Sequence, residues 1–148
     1  MKRINIFDKE HVNLFCYPGD GIEFLHSVLF SLGYTYKGLF SQKAKKDGLF
    51  VIEELFKLDL IYVFHWGKNH DEMKNNTYTI KETLKYIDSI WFGGADYPDF
   101  YGMVMFGHKK WYLKELEKLG MTDTTDWKEF VKHKIGNLEQ WIEENRPK

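Results

Sequence analysis

His65, His70 and Asp71 are the nearest this 148-residue sequence comes to a metal-ligand set, because imidazole and carboxylate are the groups zinc or iron would take. Their spacing is loose. His65 ends an apolar run and His70 lies in the polar segment after it, so the two meet only if the turn between them brings them together. A third ligand would have to come from far along the chain, from His108 or His133. Cys16 with His26 or His11 is the pairing that could activate a thiolate. Its surroundings, Asn13 to Gly21 (NLFCYPGDG), instead set it among apolar neighbours, the usual place of a structural cysteine.

Two carboxylate pairs, Asp96 with Asp99 and Glu53 with Glu54, have the residue types for acid and base work. Each also has a plainer use. Asp96 and Asp99 flank a helix start, where negative charge is favoured, and Glu53 and Glu54 fall on the polar side of a helix. The glycine turns Gly19-Asp20-Gly21 and Gly93-Gly94 lack the following Gly or Lys-Ser/Thr of a nucleotide-binding loop, so they read as turns. No cofactor is expected.

A binding surface is better supported than a catalytic one. Asp96 to Tyr112 (DYPDFYGMVMFGHKKWY) holds six aromatic residues and two methionines with charges at both ends, a mixture suited to a protein interface with a wet rim. Tyr97, Tyr101 and Tyr112 are the expected aromatic anchors and Lys109 and Lys110 the charged rim. The competing reading makes Phe100, Val104 and Trp111 core at helical spacing.

The element that must position these residues is Asp47 to Trp66. Leu49, Ile52, Leu55 and Phe56 fall at helical spacing, then Leu60 to Trp66 is an apolar, β-branched and aromatic run, so a helix feeds a strand through Lys57 to Asp59. The helix can begin as early as Ser41. Before it, two apolar patches end at Pro18-Gly19, and a helix capped by Asp20 with Glu23 carries Ile22, Leu25, Leu29 and Leu32 to Gly33. After it, Gly67 to Tyr78 reads as an exposed loop or hairpin tip. Thr79 with Glu82 opens a helix that buries Ile80, Leu84, Ile87 and Trp91, and a short helix follows from Asp96 with Pro98 in its first turn, running to Gly107. Lys109 to Leu119 forms another helix. The last segment breaks at Gly136, with Asn137 and Gln140 starting a separate helix. These elements predict one predominantly helical α+β domain over residues 1–148, with five or six helices around a small sheet or hairpin containing Leu60 to Trp66.

Composition narrows the partners. Lys and Arg total 21 against 22 Asp and Glu, and residues 1–74 carry ten of each sign, so there is no basic field to attract nucleic acid. Arg3 and Arg146 are the only arginines, which removes bidentate phosphate clamps from the body of the fold. A helix, strand and flexible tip would also suit a winged-helix DNA binder using Lys43, Lys45 and Lys46, but Glu53 and Glu54 occupy the outward face of its helix. Aromatic residues at 18% are more than one core of this size encloses, so some should reach the surface and meet a partner or a second copy of the chain. A single cysteine, no signal-peptide core and no membrane-length apolar run point to the cytoplasm.

The Leu49-Phe-Val-Ile-Glu-Glu-Leu-Phe helix, the strand to Trp66, and the later Trp91, Asp96-Tyr-Pro-Asp-Phe-Tyr and Trp127 together resemble small bacterial toxin-immunity proteins, including those of contact-dependent growth inhibition. The likeness is of size and layout over residues 45–145. It implies a compact cytoplasmic protein without a catalytic site that neutralises a toxin by covering its active site or a nearby surface. Immunity proteins against nucleases are often acidic, whereas this chain has a net charge of −1, which leaves the toxin class open. The alternatives are a small metal-dependent enzyme or metal-binding protein built on His65, His70 and Asp71, and the winged-helix DNA binder.

Overall fold

Ser41 starts the longest element of the protein, whose computed structural model describes residues 4–17, 19–122 and 124–148. The Ser41 hydroxyl accepts the Ala44 N–H at 3.0 Å, the N-cap that opens a helix of 16 residues. That helix, Gln42–Lys57, is α2, after α1 (Leu25–Ser31). It buries Ala44, Gly48, Val51, Ile52 and Leu55 along one face. Gly48 sets how closely it packs, since a Cβ there would lie 2.7 Å from the Trp91 ring and 3.2 Å from Leu29. At its end Asp59 takes a left-handed conformation (φ 58°), the Leu60 N–H returns to Leu55 O, and the chain enters β1 (Ile61–His65). The Trp111 indole donates to Asp59 O at 2.6 Å, so the turn's exposed carbonyl is held.

The remaining elements are α3 (His70–Met73), α4 (Ile80–Ile90), α5 (Tyr97–Phe100), β2 (Met105–His108), α6 (Lys110–Lys118), α7 (Trp127–Phe130) and α8 (Leu138–Asn145). Short 3-10 segments cover Lys9–Phe15, Tyr36–Gly38 and Gly67–Asn69. The architecture is predominantly helical α+β. Among the described residues its sheet has two strands, β1 antiparallel to β2, pairing Ile61 with His108 and Val63 with Phe106 and bulging before His65. Among the described residues three of the eight α-helices, α3, α5 and α7, are single turns of four residues, which is why the periodicity suggests five or six.

Several expected boundaries move. The first helix starts at Leu25, because Phe24 N–H donates to Ser27 Oγ and no Asp20 cap forms. A Cβ on Gly21 would sit 1.6 Å from Asn13 O, so the backbone before α1 lies directly on the 3-10 segment. Gly67 to Tyr78 contains a 3-10 turn and α3 rather than a hairpin tip. The partner of β1 is β2, where the sequence pattern predicts a continuation of the α5 helix; a short apolar run without polar alternation suits either. The breaks at Gly136 and the Asn137 cap occur where expected, after a π-type turn closed by Gly136 N–H on Val131 O at 2.7 Å.

One apolar core runs from Ile6 to Ile142. Its polar fastening is concentrated on Lys9–Phe15, whose last carbonyls have no helical partner of their own. Trp127 Nε1 donates to Val12 O at 2.8 Å, His108 Nε2 to Leu14 O at 3.3 Å, and the Tyr112 hydroxyl to Phe15 O at 2.5 Å. Among the described residues no helix is long and apolar enough to cross a membrane.

Tyr112→Phe leaves Phe15 O buried without its donor and should lower stability by about 1–3 kcal/mol in urea unfolding, with the fold retained. His108 is buried, with Nε2 spent on Leu14 O and Nδ1 unpartnered, and burial lowers its pKa from 6.5 to about 4. The unfolded chain therefore binds this proton more readily than the native one. Stability should be unaffected above pH 6.5 and fall as the pH drops from there toward 4, by about 3 kcal/mol from this residue. His108→Gln should flatten that part of the stability–pH curve; an unchanged slope would remove His108 as its cause.

Candidate functional site

Asp96 shapes the surface that carries Tyr97 and Tyr101. Its carboxylate accepts the Tyr97 N–H at 2.7 Å, and Asp99 Oδ2 accepts the Asp96 N–H at 2.9 Å, while Pro98 occupies the first turn of α5. The Asp96–Asp99 pair is thereby used in capping. Four residues apart, Tyr97 and Tyr101 fall on one face, with hydroxyls 2.5 Å apart and rings edge-to-face at 5.3 Å. That hydrogen bond, with some desolvation, holds the Tyr97 hydroxyl above the usual 10.0.

Beneath them α1 supplies His26 and Phe30, also four apart and edge-to-face at 5.7 Å. His26 is the hub. Its ring lies 4.8 Å from Tyr97, 5.1 Å from Tyr101 and 5.9 Å from Phe100, and Phe24 stacks on it at 5.2 Å. Tyr36, from a separate 3-10 turn, closes the ring of aromatics against Phe30 at 5.1 Å and Tyr97 at 5.2 Å. Phe100 is fully buried and braces the cluster against Trp91, whereas Tyr36 is 61% and Tyr101 49% exposed. The arrangement is a rigid aromatic surface with its hydroxyls outward and its base anchored in the core. It offers van der Waals area, hydrogen bonds from Tyr and ring faces for a cation.

The other expected contact residues are elsewhere. Tyr112 has no exposed area, which corrects its expected place on the surface: its hydroxyl is needed by Phe15 O in the core. Lys109 follows β2 at the end away from Tyr101, where it pairs with Asp59 at 3.1 Å and donates its N–H to Leu60 O. Lys110 is exposed at the start of α6. The interface expected over residues 96–112 is thus divided by β2.

His65 and His70 do come together, with rings stacked at 3.8 Å and nearly parallel, but in the wrong state for a ligand pair. Each Nδ1 accepts a backbone N–H, His65 from Gly67 at 3.0 Å and His70 from Trp66 at 3.1 Å. A neutral imidazole so bonded carries its hydrogen on Nε2 and has no free lone pair. Asp71 points to solvent and pairs with Lys74, away from a shared centre. His133 bonds to Glu129 on its own turn. Burial, with the charge of Asp20, raises the Cys16 pKa, which disfavours its thiolate. Of the lysines suited to DNA, Lys43 pairs with Asp47 and Lys45 with Asp88, and β1 finds its partner 40 residues on rather than in a wing. Glu53 pairs with Lys57 on the outside of α2.

Sequence reading missed Phe24, Phe30 and Tyr36 as parts of the surface and weighed His26 only beside Cys16. The available signal was the repeated four-residue spacing of His26 with Phe30 and Tyr97 with Tyr101. Desolvation lowers the His26 pKa from 6.5. An NMR titration should therefore place its midpoint below that value, and Tyr101→Ala, by admitting water, should move it back up; an unmoved midpoint would mean that Tyr101 does not cover the ring. No protein-family model, curated protein or solved structure matches the chain, so what this surface does must be argued from its own geometry.

Proposed function

We propose that this protein is a non-catalytic protein-binding module, and that its contact surface is the aromatic cluster of Phe24, Phe30, Tyr36, Tyr97 and Tyr101. The observation that carries the reading is the combination of exposure and fixation. Tyr36 and Tyr101 present large rings to solvent, yet Tyr101 is locked by its hydroxyl bond to Tyr97 and both rest on neighbouring rings. Rings already fixed lose little conformational freedom on binding, and exposed tyrosines at the centre of a patch are the residues that most often dominate interface energetics.

The border carries both signs, with exposed Lys37 after Tyr36 and Lys68 against Gly102 beside Tyr101, and carboxylates on the side of Phe24 and Tyr97. Glu23, Asp96 and Asp99, adjoining Phe24 and Tyr97 along the chain, are all exposed carboxylates. A partner face presenting lysine or arginine among apolar side chains would meet both the ring faces and these charges. The resemblance in size and layout to toxin-immunity proteins makes a toxin domain the proposed partner and steric occlusion the proposed mode of neutralisation.

Affinity capture from the native cell extract supplies the partner, and calorimetry then measures its affinity for variants. Tyr101→Ala should weaken binding by at least about 1 kcal/mol, roughly fivefold in Kd, with no comparable loss in thermal stability. Unchanged affinity in Tyr101→Ala and in Tyr36→Ala would refute the assignment of this surface.

A further inference from the structure

His11 lies in the first turn of the 3-10 segment Lys9–Phe15 and is fixed in one tautomer. Its Nδ1 lies 2.8 Å from Asn5 O, and a carbonyl only accepts, so Nδ1 carries the hydrogen. In the neutral ring Nε2 is then a bare lone pair. The side chain is nine-tenths buried, and that nitrogen faces Glu10 Oε1 at 3.6 Å with no hydrogen bond formed. Asp8 completes the group: one ligand atom from each of Asp8, Glu10 and His11 lies within 4.8 Å of the others. Two acceptors facing one another at this distance leave room for a bridging water, a proton or a metal ion, and two carboxylates beside an imidazole lone pair are a donor set that suits the metal.

We infer that Asp8, Glu10 and His11 form a binding site for a divalent transition-metal ion of the zinc type. Three features carry this. The backbone carbonyl bonded to the far nitrogen is the arrangement that orients metal-bound histidines, and Asn5 O also accepts the Asp8 N–H at 3.1 Å, so one carbonyl positions two of the three residues. Bonds of about 2.05 Å to a tetrahedral ion give ligand-to-ligand edges of about 3.3 Å, a few tenths below the existing Nε2 to Oε1 distance. Asp8 and Glu10 are exposed, so their carboxylates can swing the remaining way.

One imidazole and two carboxylates without thiolate select a borderline ion over soft copper(I), and the imidazole disfavours magnesium and calcium. The site opens on a groove of about 620 Å³ whose other walls include Leu32, Gly33, Tyr34, Lys43 and Asp47. Water or an oxygen ligand entering from that groove would complete the coordination. The bound ion would pin the start of the segment whose far end receives Trp127, His108 and Tyr112.

The test uses tag-free full-length protein, stripped with chelator and titrated with Zn²⁺ in excess Mg²⁺, then with Co²⁺ followed by visible absorption. The expected result is one equivalent of Zn²⁺ bound and Co²⁺ bands of low-symmetry four- or five-coordinate form. Asp8→Asn with Glu10→Gln should weaken binding at least about tenfold while the metal-free variant stays folded by circular dichroism. His65→Ala with His70→Ala should bind as the parent does. Affinity should fall with pH as protons compete for the ligands. Binding weaker than about 1 mM in the parent, binding unchanged by the carboxylate pair, or binding lost with His65 and His70 would each overturn the assignment.

Discussion

Three buried donors from the second half of the chain, on Trp127, His108 and Tyr112, converge on consecutive turns of one 3-10 segment near its start. A 3-10 segment of seven residues has poor internal hydrogen bonding and cannot satisfy its own final carbonyls in an apolar setting. His108 and Tyr112 also pack edge-to-face at 4.9 Å, and Trp127 is buried against Phe130. Packing and polar satisfaction are thus met by the same side chains. This joint fixes Val12 to Phe15 against β2, α6 and α7, and Gly21 lies on Asn13 from the other side. It links residues about 100 positions apart and orders elements that are individually too short to be stable.

The aromatic surface depends on that frame at one remove. α1 is positioned by the approach of Gly21, ahead of it, to Asn13, at its last residue by Ser31 Oγ donating to Gly21 O at 2.9 Å, and along its buried side by α2. α5 is a single turn, stabilised by its own capping box and by Phe100 in the core. His26 joins the two. Its Nδ1 is buried without a hydrogen-bond partner beneath the exposed tyrosines, as His108 Nδ1 is in the frame.

Much of the frame was legible. Thr79, Asp96 and Asn137 each cap the helix expected of them, and Ser41, the earliest expected start of α2, turns out to cap it, because capping needs only a short polar side chain at the right offset. The strand after α2 was visible from its β-branched run. What was not legible depended on contacts distant in sequence. β2 is four residues, and Met105 and Phe106 suit a strand only because β1 lies beside them. Tyr112 reads as an amphipathic surface residue until Phe15 O takes its hydroxyl. Tyr97 and Tyr101 stood out by the aromatic-rich composition of residues 96–112, but Tyr36 enters through a turn 61 residues earlier, which no local pattern reveals. His11 was weighed only beside Cys16, and its grouping with Asp8 and Glu10 acquires chemical meaning only once Asn5 O fixes the imidazole tautomer.

Oxidative footprinting of the protein alone and with its captured partner tests the functional account most directly, because tyrosine oxidation reports ring exposure residue by residue. Tyr62 and Phe64 on the exposed face of β1 provide an internal comparison, with exposures of 41% and 59%. The account predicts protection of Tyr36, Tyr97 and Tyr101 in the complex while Tyr62 and Phe64 remain reactive. Protection of Tyr62 and Phe64 with the three tyrosines still fully reactive would contradict it and move the binding surface to the sheet.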